Sequence, residues 1–222
     1  MTKIISFEGI DGSGKSLQSK LLIERLSSRG LSVYERSYPQ YDSFLGRHIG
    51  CFLKNSQAND IDPYSMALWY ASDRSVDWKN NVMQFYGEVD VIVFNRYSLS
   101  SAVYQACRSD EPEAMRDWVL ALEHKTLGLP QPDMYIVLDV ALTEAHTRNK
   151  EKSGRSYLEA GADAYENNLS LQEKAINAYQ AYCREFSNAT LIEGSKDGRL
   201  LSPNEILERV IGCAERTLRI PL

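Results

Sequence analysis

The run GIDGSGKS, Gly9 to Ser16, places a lysine and a hydroxyl behind closely spaced glycines at a spacing suited to polyphosphate. It satisfies G-x-x-x-x-G-K-[ST] between an apolar strand and the start of a helix, the context the pattern requires. Glycines let the backbone curl round a phosphate chain without Cβ clashes, so successive N–H groups converge on its oxygens. The helix N-terminus adds a field that favours anions. Gly9, Asp11, Gly12, Ser13, Gly14, Lys15, Ser16 and Leu17 are therefore the expected nucleotide-binding set. Within it, Lys15 should reach the β- and γ-phosphates and Ser16 should offer its hydroxyl to Mg2+.

Other stretches could hold an acceptor. YPQYDS (Tyr38–Ser43) follows the second expected strand, where a topological switch would open a crevice. ALWYASDR puts Tyr70 and Arg74 four apart on one helical face. The tyrosine could stack on a base while the arginine hydrogen-bonds a carbonyl on its edge. The same spacing also suits an aromatic core contact beside a surface cation. VIVFNRYSLSSAVYQ (Val91–Gln105) runs from a buried strand into a hydroxyl-rich helix, with Asn95 and Arg96 at the turn. A kinase would be expected to place an acid there to manage magnesium. The polar segment Arg148–Asn168 reads either as a solvated loop or as a lid that brings cations over phosphates.

Positioning these groups requires an alternating chain. Strands are expected over Lys3–Glu8, Leu31–Arg36, Val89–Phe94, Met134–Asp139 and Ala189–Gly194. Several are apolar on consecutive residues, as when helices cover both faces of a parallel sheet. Helices are expected over Lys15–Arg29, Pro63–Tyr86, Pro112–Lys125, Glu166–Phe186 and Pro203–Arg219, with their prolines in first turns and Asp62 or Ser202 as caps. The expected fold is a three-layer, doubly wound α/β domain of the P-loop NTPase type, with about five parallel strands. Without a repeat, linker or composition break, residues 1–222 read as a single domain.

The 222 residues are 43% hydrophobic and 25% charged, ordinary globular values, with a net charge of −5. That charge argues against long nucleic acid as a partner. Cys51, Cys107, Cys183 and Cys213 show no metal-binding spacing, and His48, His124 and His146 complete no zinc set. With no signal-peptide pattern and no apolar run of membrane-spanning length, a soluble cytoplasmic protein is expected. There is no base-reading N-K-x-D signature of a GTPase, and a motor ATPase would be larger. A small kinase is the remaining class.

Taken in order, FEGIDGSGKS, SYPQYDS, LWYASDR, NRYSLSSAVYQA, LGLPQPD and DAYENN resemble the thymidylate kinase family over nearly the whole chain. The resemblance implies transfer of the ATP γ-phosphate to dTMP, with Mg2+ as cofactor, and a homodimer. It assigns Asp11 to the acceptor sugar, Tyr70 to stacking on thymine, Arg74 to the base carbonyl and Arg96 to the acceptor phosphate. Tyr41, Ser101 and Tyr104 fall at acceptor-site positions, where a tyrosine can crowd a 2′-hydroxyl. Tyr165, Glu166 and Gln172 follow the lid, about 148–165, at positions associated with the nucleoside or its metal. Ser16, Asn95 and Glu166 are thus the expected metal supporters, and Lys15, Arg96, Arg148 and Arg155 the catalytic cations.

Two departures stand out. The family usually carries Asp-Arg-Tyr where this chain has Asn95-Arg96-Tyr97, and Phe-Pro-x-Arg or Phe-Pro-Arg where it has Tyr38-Pro39-Gln40-Tyr41. Some members also place a basic residue where Gly12 stands, so a cation must come from elsewhere, Arg148 and Arg155 being favoured over Lys152. Asn95 could cap the following helix or orient a metal-bound water. An active kinase with weaker magnesium use is expected. Another (deoxy)nucleoside monophosphate, a deoxynucleoside, or a regulator that binds nucleotides without catalysis are the alternatives.

Overall fold

The computed structural model describes residues 1–54, 60–153, 164–166, 168–196 and 199–219. Strands β1 (Lys3–Glu8), β2 (Val33–Ser37), β3 (Val91–Asn95), β4 (Met134–Asp139) and β5 (Ala189–Glu193) form one parallel sheet in the order β2-β3-β1-β4-β5. Its helices are α1 (Lys15–Ser28), α2 (Phe44–Lys54), α3 (Pro63–Asp77), α4 (Ser98–Ala106), α5 (Pro112–Ala121), α6 (Leu142–Ser153), α7 (Leu169–Glu185) and α8 (Pro203–Leu218). Short strands β6 (Ser195–Lys196) and β7 (Arg199–Leu200) pair antiparallel beside them. The α/β architecture and the five parallel strands agree with the sequence expectation. Among the described residues no helix is long and apolar enough to cross a membrane.

Side chains alternate across each strand, so one face of β1 carries Ile5 and Phe7 and the other Ile4, Ser6 and Glu8. The first face packs with Leu22 and Leu26 of α1 and Val210, Ile211 and Ala214 of α8. Beyond the second face, Tyr135 and Val137 of β4 meet Tyr179 and Tyr182 of α7. Fully burying one such apolar side chain is worth about 1.5–3 kcal/mol. Ser6 and Glu8 break this apolar pattern where β1 approaches the phosphate loop, and both are fully buried.

Several boundaries differ from expectation for identifiable reasons. Pairing in β2 and β3 starts later because Ser32 N and Oγ are engaged by the Asp90 carboxylate, at 2.8 and 2.7 Å. The expected helix Pro63–Tyr86 ends as α3 at Asp77 and continues as a π turn, Trp78–Val82, and a 3-10 turn, Met83–Phe85. Likewise α5 passes into a π turn, Leu122–Thr126. Helix α7 starts at Leu169 because Asn168 Oδ1 accepts from Leu171 N at 3.0 Å. Helices α2 and α6 lay outside the expected set, and α6 makes the first residues of the expected lid helical rather than loop.

Candidate active site

The phosphate loop joins β1 to α1. Gly12 has φ +77°, and a Cβ on it would lie 2.1 Å from the Ala145 carbonyl oxygen on α6. Gly9, at φ +131°, would meet the Leu138 carbonyl oxygen at 2.7 Å. Packing therefore demands glycine at both places, independently of phosphate approach. Lys15 folds over this loop, its Nζ donating to the carbonyls of Gly9 (3.1 Å) and Ile10 (2.7 Å). Burial, followed by the Arg96 guanidinium, pushes its pKa down to about 7, against the pull of Asp11, Glu8 and Glu166. Ser13 is buried and among the described residues its hydroxyl has no partner, while Leu17 is 47% exposed.

The register of β1 against β3 sets Phe7 beside Asn95, which brings the next residue, Arg96, to the loop. Arg96 adopts φ 66°, a left-handed conformation costing an ordinary residue about 1–3 kcal/mol unless its surroundings enforce it. Here Arg96 N donates to Phe7 O and Tyr97 N to Glu8 Oε1, each at 2.9 Å. Its Nη1 donates to Gly9 O (3.1 Å) and Ser100 Oγ (3.0 Å), and Nη2 forms an ion pair with Asp11. Ser100 in turn donates to Glu8 Oε2 at 2.5 Å. Burial raises the Glu8 carboxyl above its usual value, although Ser100, Ser6, Arg96 and Tyr97 oppose the shift. Burial also acts upward on Asp11, but Arg96 and Lys15 outweigh it and hold that carboxyl low.

Beside the loop lies a cleft with about 590 Å³ of empty space, part of it open to solvent. Tyr41, Tyr70, Arg74, Arg96, Ser101 and Tyr104 contribute to its wall, with Asp11, Gln105, Tyr165 and Glu166. Tyr70 and Arg74 do share a face, the guanidinium lying 5.9 Å from the ring centroid. Arg74 is also held by Glu123, with Nε to Oε2 at 2.7 Å and Nη2 to Oε1 at 2.5 Å, both residues buried. Removing one partner of such a pair costs about 3–5 kcal/mol. Tyr104 and Tyr165 stack at 5.8 Å and 6°, and Gln172 accepts from Tyr104 OH at 3.1 Å while donating to Tyr165 O at 2.8 Å.

The cleft thus gathers every expected acceptor residue except Gln172, which lies directly behind it. Asn95 does not cap α4, whose first turn follows Tyr97 without a side-chain cap. It ends β3 too early for that, and donates from Nδ2 to Ser16 Oγ at 2.9 Å instead. This neutral pair fits a magnesium ion held mainly by phosphate and water. Among the described residues no three His, Cys, Asp or Glu side chains form a cage for a metal. Arg148 is half-buried on α6, outside the cleft wall, and Arg155 lies outside the described residues. Arg47 does not take the place of an arginine at Gln40 or Tyr41: it is exposed and donates to Asp42 O at 2.9 Å. Sequence reasoning missed Glu8, Gln105, Arg108 and Glu123. For Glu8 a signal existed, a carboxylate on the face of an apolar strand that also carries Ser6.

A parallel sheet of this order, a glycine-rich loop with a folded-over lysine, and an adjoining cleft with its own arginine define a P-loop nucleotide kinase. The family model described as Thymidylate kinase matches residues 7–197. The thymidylate kinase of Mycobacterium tuberculosis is 31% identical over 186 residues, covering 79% of this chain and 83% of that protein. The human thymidylate kinase is 24% identical, covering 91% of each chain. A solved thymidylate kinase from Candida albicans has the same fold, with a TM-score of 0.70, 18% identity, and coverage of 98% of this chain and 93% of that one. The chain belongs to the thymidylate kinase family.

Proposed function

We propose that this chain transfers the γ-phosphate of ATP to dTMP, giving dTDP. The observation that carries the reading is the shared carbonyl of Gly9, to which Lys15 Nζ and Arg96 Nη1 each donate at 3.1 Å. A cation suited to the donor phosphates and one suited to an acceptor phosphate thereby meet at the end of β1. Phosphoryl transfer asks mainly for such positioning and charge compensation. Lys15 exchanges its loop carbonyls for phosphate oxygens, and Arg96 turns from Asp11 towards the acceptor phosphate, leaving Asp11 for the sugar. Tyr70 stacks on thymine, Arg74 donates to its carbonyl, and Tyr104 crowds the 2′ position. Gln172 holds Tyr104 and Tyr165 in place.

Bound with ATP, magnesium neutralises phosphate charge; Ser16 would hold it directly, with Asn95 and Glu166 acting through water. Asn95→Asp should lower the magnesium concentration for half-maximal rate several-fold, because a full charge replaces a dipole. An unchanged magnesium dependence would remove Asn95 from that role. We read residues 1–222 as one kinase domain whose lid, about 148–165, supplies Arg148 and Arg155 to the transferring phosphate. A homodimer is supported by Tyr64, Leu68 and Val76, an exposed apolar stripe along α3. A coupled assay with ATP and dTMP, dUMP, dCMP, dGMP or thymidine tests the activity. Turnover confined to thymidine or to another monophosphate would replace dTMP as the acceptor.

A further inference from the structure

Glu8 ends β1 fully buried, where a carboxylate is unfavourable unless donors surround it. Donors converge on it here. Oε1 accepts from Ser6 Oγ at 2.8 Å and from Tyr97 N at 2.9 Å, and Oε2 accepts from Ser100 Oγ at 2.5 Å. The Tyr179 hydroxyl of α7 lies 3.5 Å from Oε2 and 3.1 Å from Ser100 Oγ. Two of these contacts flank Arg96. An amide N–H can only donate, so Oε1 fixes the peptide that follows Arg96, and with it the left-handed φ of 66°. At Ser100 the senses are set as well. A guanidinium can only donate, so Ser100 Oγ accepts from Arg96 Nη1 at 3.0 Å and directs its single proton to Glu8. Helix α4 has no side-chain cap at Tyr97, and the carboxylate supplies the negative charge its N-terminus favours. Arg108 clamps the other end of α4, donating to Tyr165 OH at 2.7 Å and to Ile61 O at 2.5 Å.

We propose that Glu8 is a positioning residue for the acceptor phosphate: by gripping Tyr97 N and Ser100 Oγ together, it holds Arg96 where its guanidinium reaches the cleft. The proposal rests on the reading of Arg96 as the acceptor-phosphate cation. Glu8 itself touches no substrate, being fully buried and outside the cleft wall. Its effect depends on reach rather than on charge. Bridging from the end of β1 to both donors uses the full length of a glutamate side chain. Aspartate would keep the charge but, one methylene shorter, could not hold both. Glutamine would keep the reach, with its oxygen on Tyr97 N and its NH2 group turned to Ser100 Oγ, and lose the charge.

Equilibrium binding of dTMP and of thymidine, which lacks the phosphate, tests this. Glu8→Asp should raise the Kd for dTMP roughly tenfold, the equivalent of about 1.4 kcal/mol, and leave that for thymidine unchanged. Glu8→Gln should raise it less. In an Arg96→Met background, Glu8→Asp should have no further effect on dTMP, because residues that act through one another are not additive. Should Glu8→Asp fail to fold, Ser100→Ala carries the same test, since it removes one link to Arg96 and leaves Tyr97 N paired with Glu8. It should weaken dTMP about threefold, again with no further effect once Arg96 is replaced. Equal weakening of dTMP and thymidine would make Glu8 a support of the fold alone and overturn the proposal. So would an unchanged Kd for dTMP, a penalty that persists without Arg96, or a Glu8→Gln enzyme worse than Glu8→Asp. If Arg96→Met leaves the ratio of dTMP to thymidine affinity unchanged, the acceptor-phosphate reading falls, and this proposal with it.

Discussion

A lysine held near neutrality by burial and by Arg96 is mostly uncharged at pH 8 in the open loop, whereas contact with phosphate oxygens restores its charge. Nucleotide binding at pH 8 should therefore take up most of one proton, and at pH 6 almost none. Calorimetry in buffers of unlike ionisation enthalpy reads this directly, and equal heats in all buffers at pH 8 would refute it. The same shift bears on stability. The folded value near 7 lies below the usual 10.5, so the unfolded chain binds the proton first as pH falls. Lys15 thus weakens the ligand-free fold progressively from about pH 10.5 down to 7, and by a constant amount below that. At this scale the sequence was informative where a motif imposes local spacing, as for Lys15, Ser16, Tyr70 and Arg74. It was silent on Glu123 and Arg108, because what they hold is decided by packing between helices, not by neighbours along the chain.

Helix ends follow chemistry that can be read locally. Pro63, Pro112 and Pro203 all occupy first turns, and Asp62 Oδ1 accepts from Ser65 N at 2.9 Å as expected. At α8 the cap is reciprocal: Ser202 Oγ accepts from Glu205 N at 3.3 Å and Glu205 Oε2 from Ser202 N at 2.8 Å. Ser202→Ala should cost about 1 kcal/mol of stability, seen as a lower urea midpoint. Its kcat should be unchanged, since α8 packs on the sheet face away from the cleft. A variant with full stability would show that the cap is idle. The π turns after α3 and α5 escaped detection because one extra residue per turn leaves an apolar pattern almost intact. Yet the second of them carries Glu123, and so decides where Arg74 stands. Helix α6 was hidden by its polarity and α2 by Gly46 and Gly50, which blur a helical signal.

For the molecule as a whole, the parallel sheet was legible because several of its strands are apolar on consecutive residues, a pattern few other architectures require. The outer surface was not, since an apolar helix residue facing solvent looks the same in sequence as one facing the core. Leu68 and Val76 belong to this class, at 46% and 49% exposure. If α3 forms the homodimer face, Leu68→Glu should convert a dimer into a folded monomer in sedimentation velocity. The original association state in that variant would place the contact on another surface.

Gly12 and Ala145 give the phosphate loop an asymmetry of their own. With the α6 backbone seated on Gly12, even a methyl group has no room there, and a long basic side chain would have to displace the helix to be accommodated. Moving a positive charge into the loop is therefore not a single substitution for this chain. It would require re-routing the connection after β4, so the loop and the helix above it can change only together.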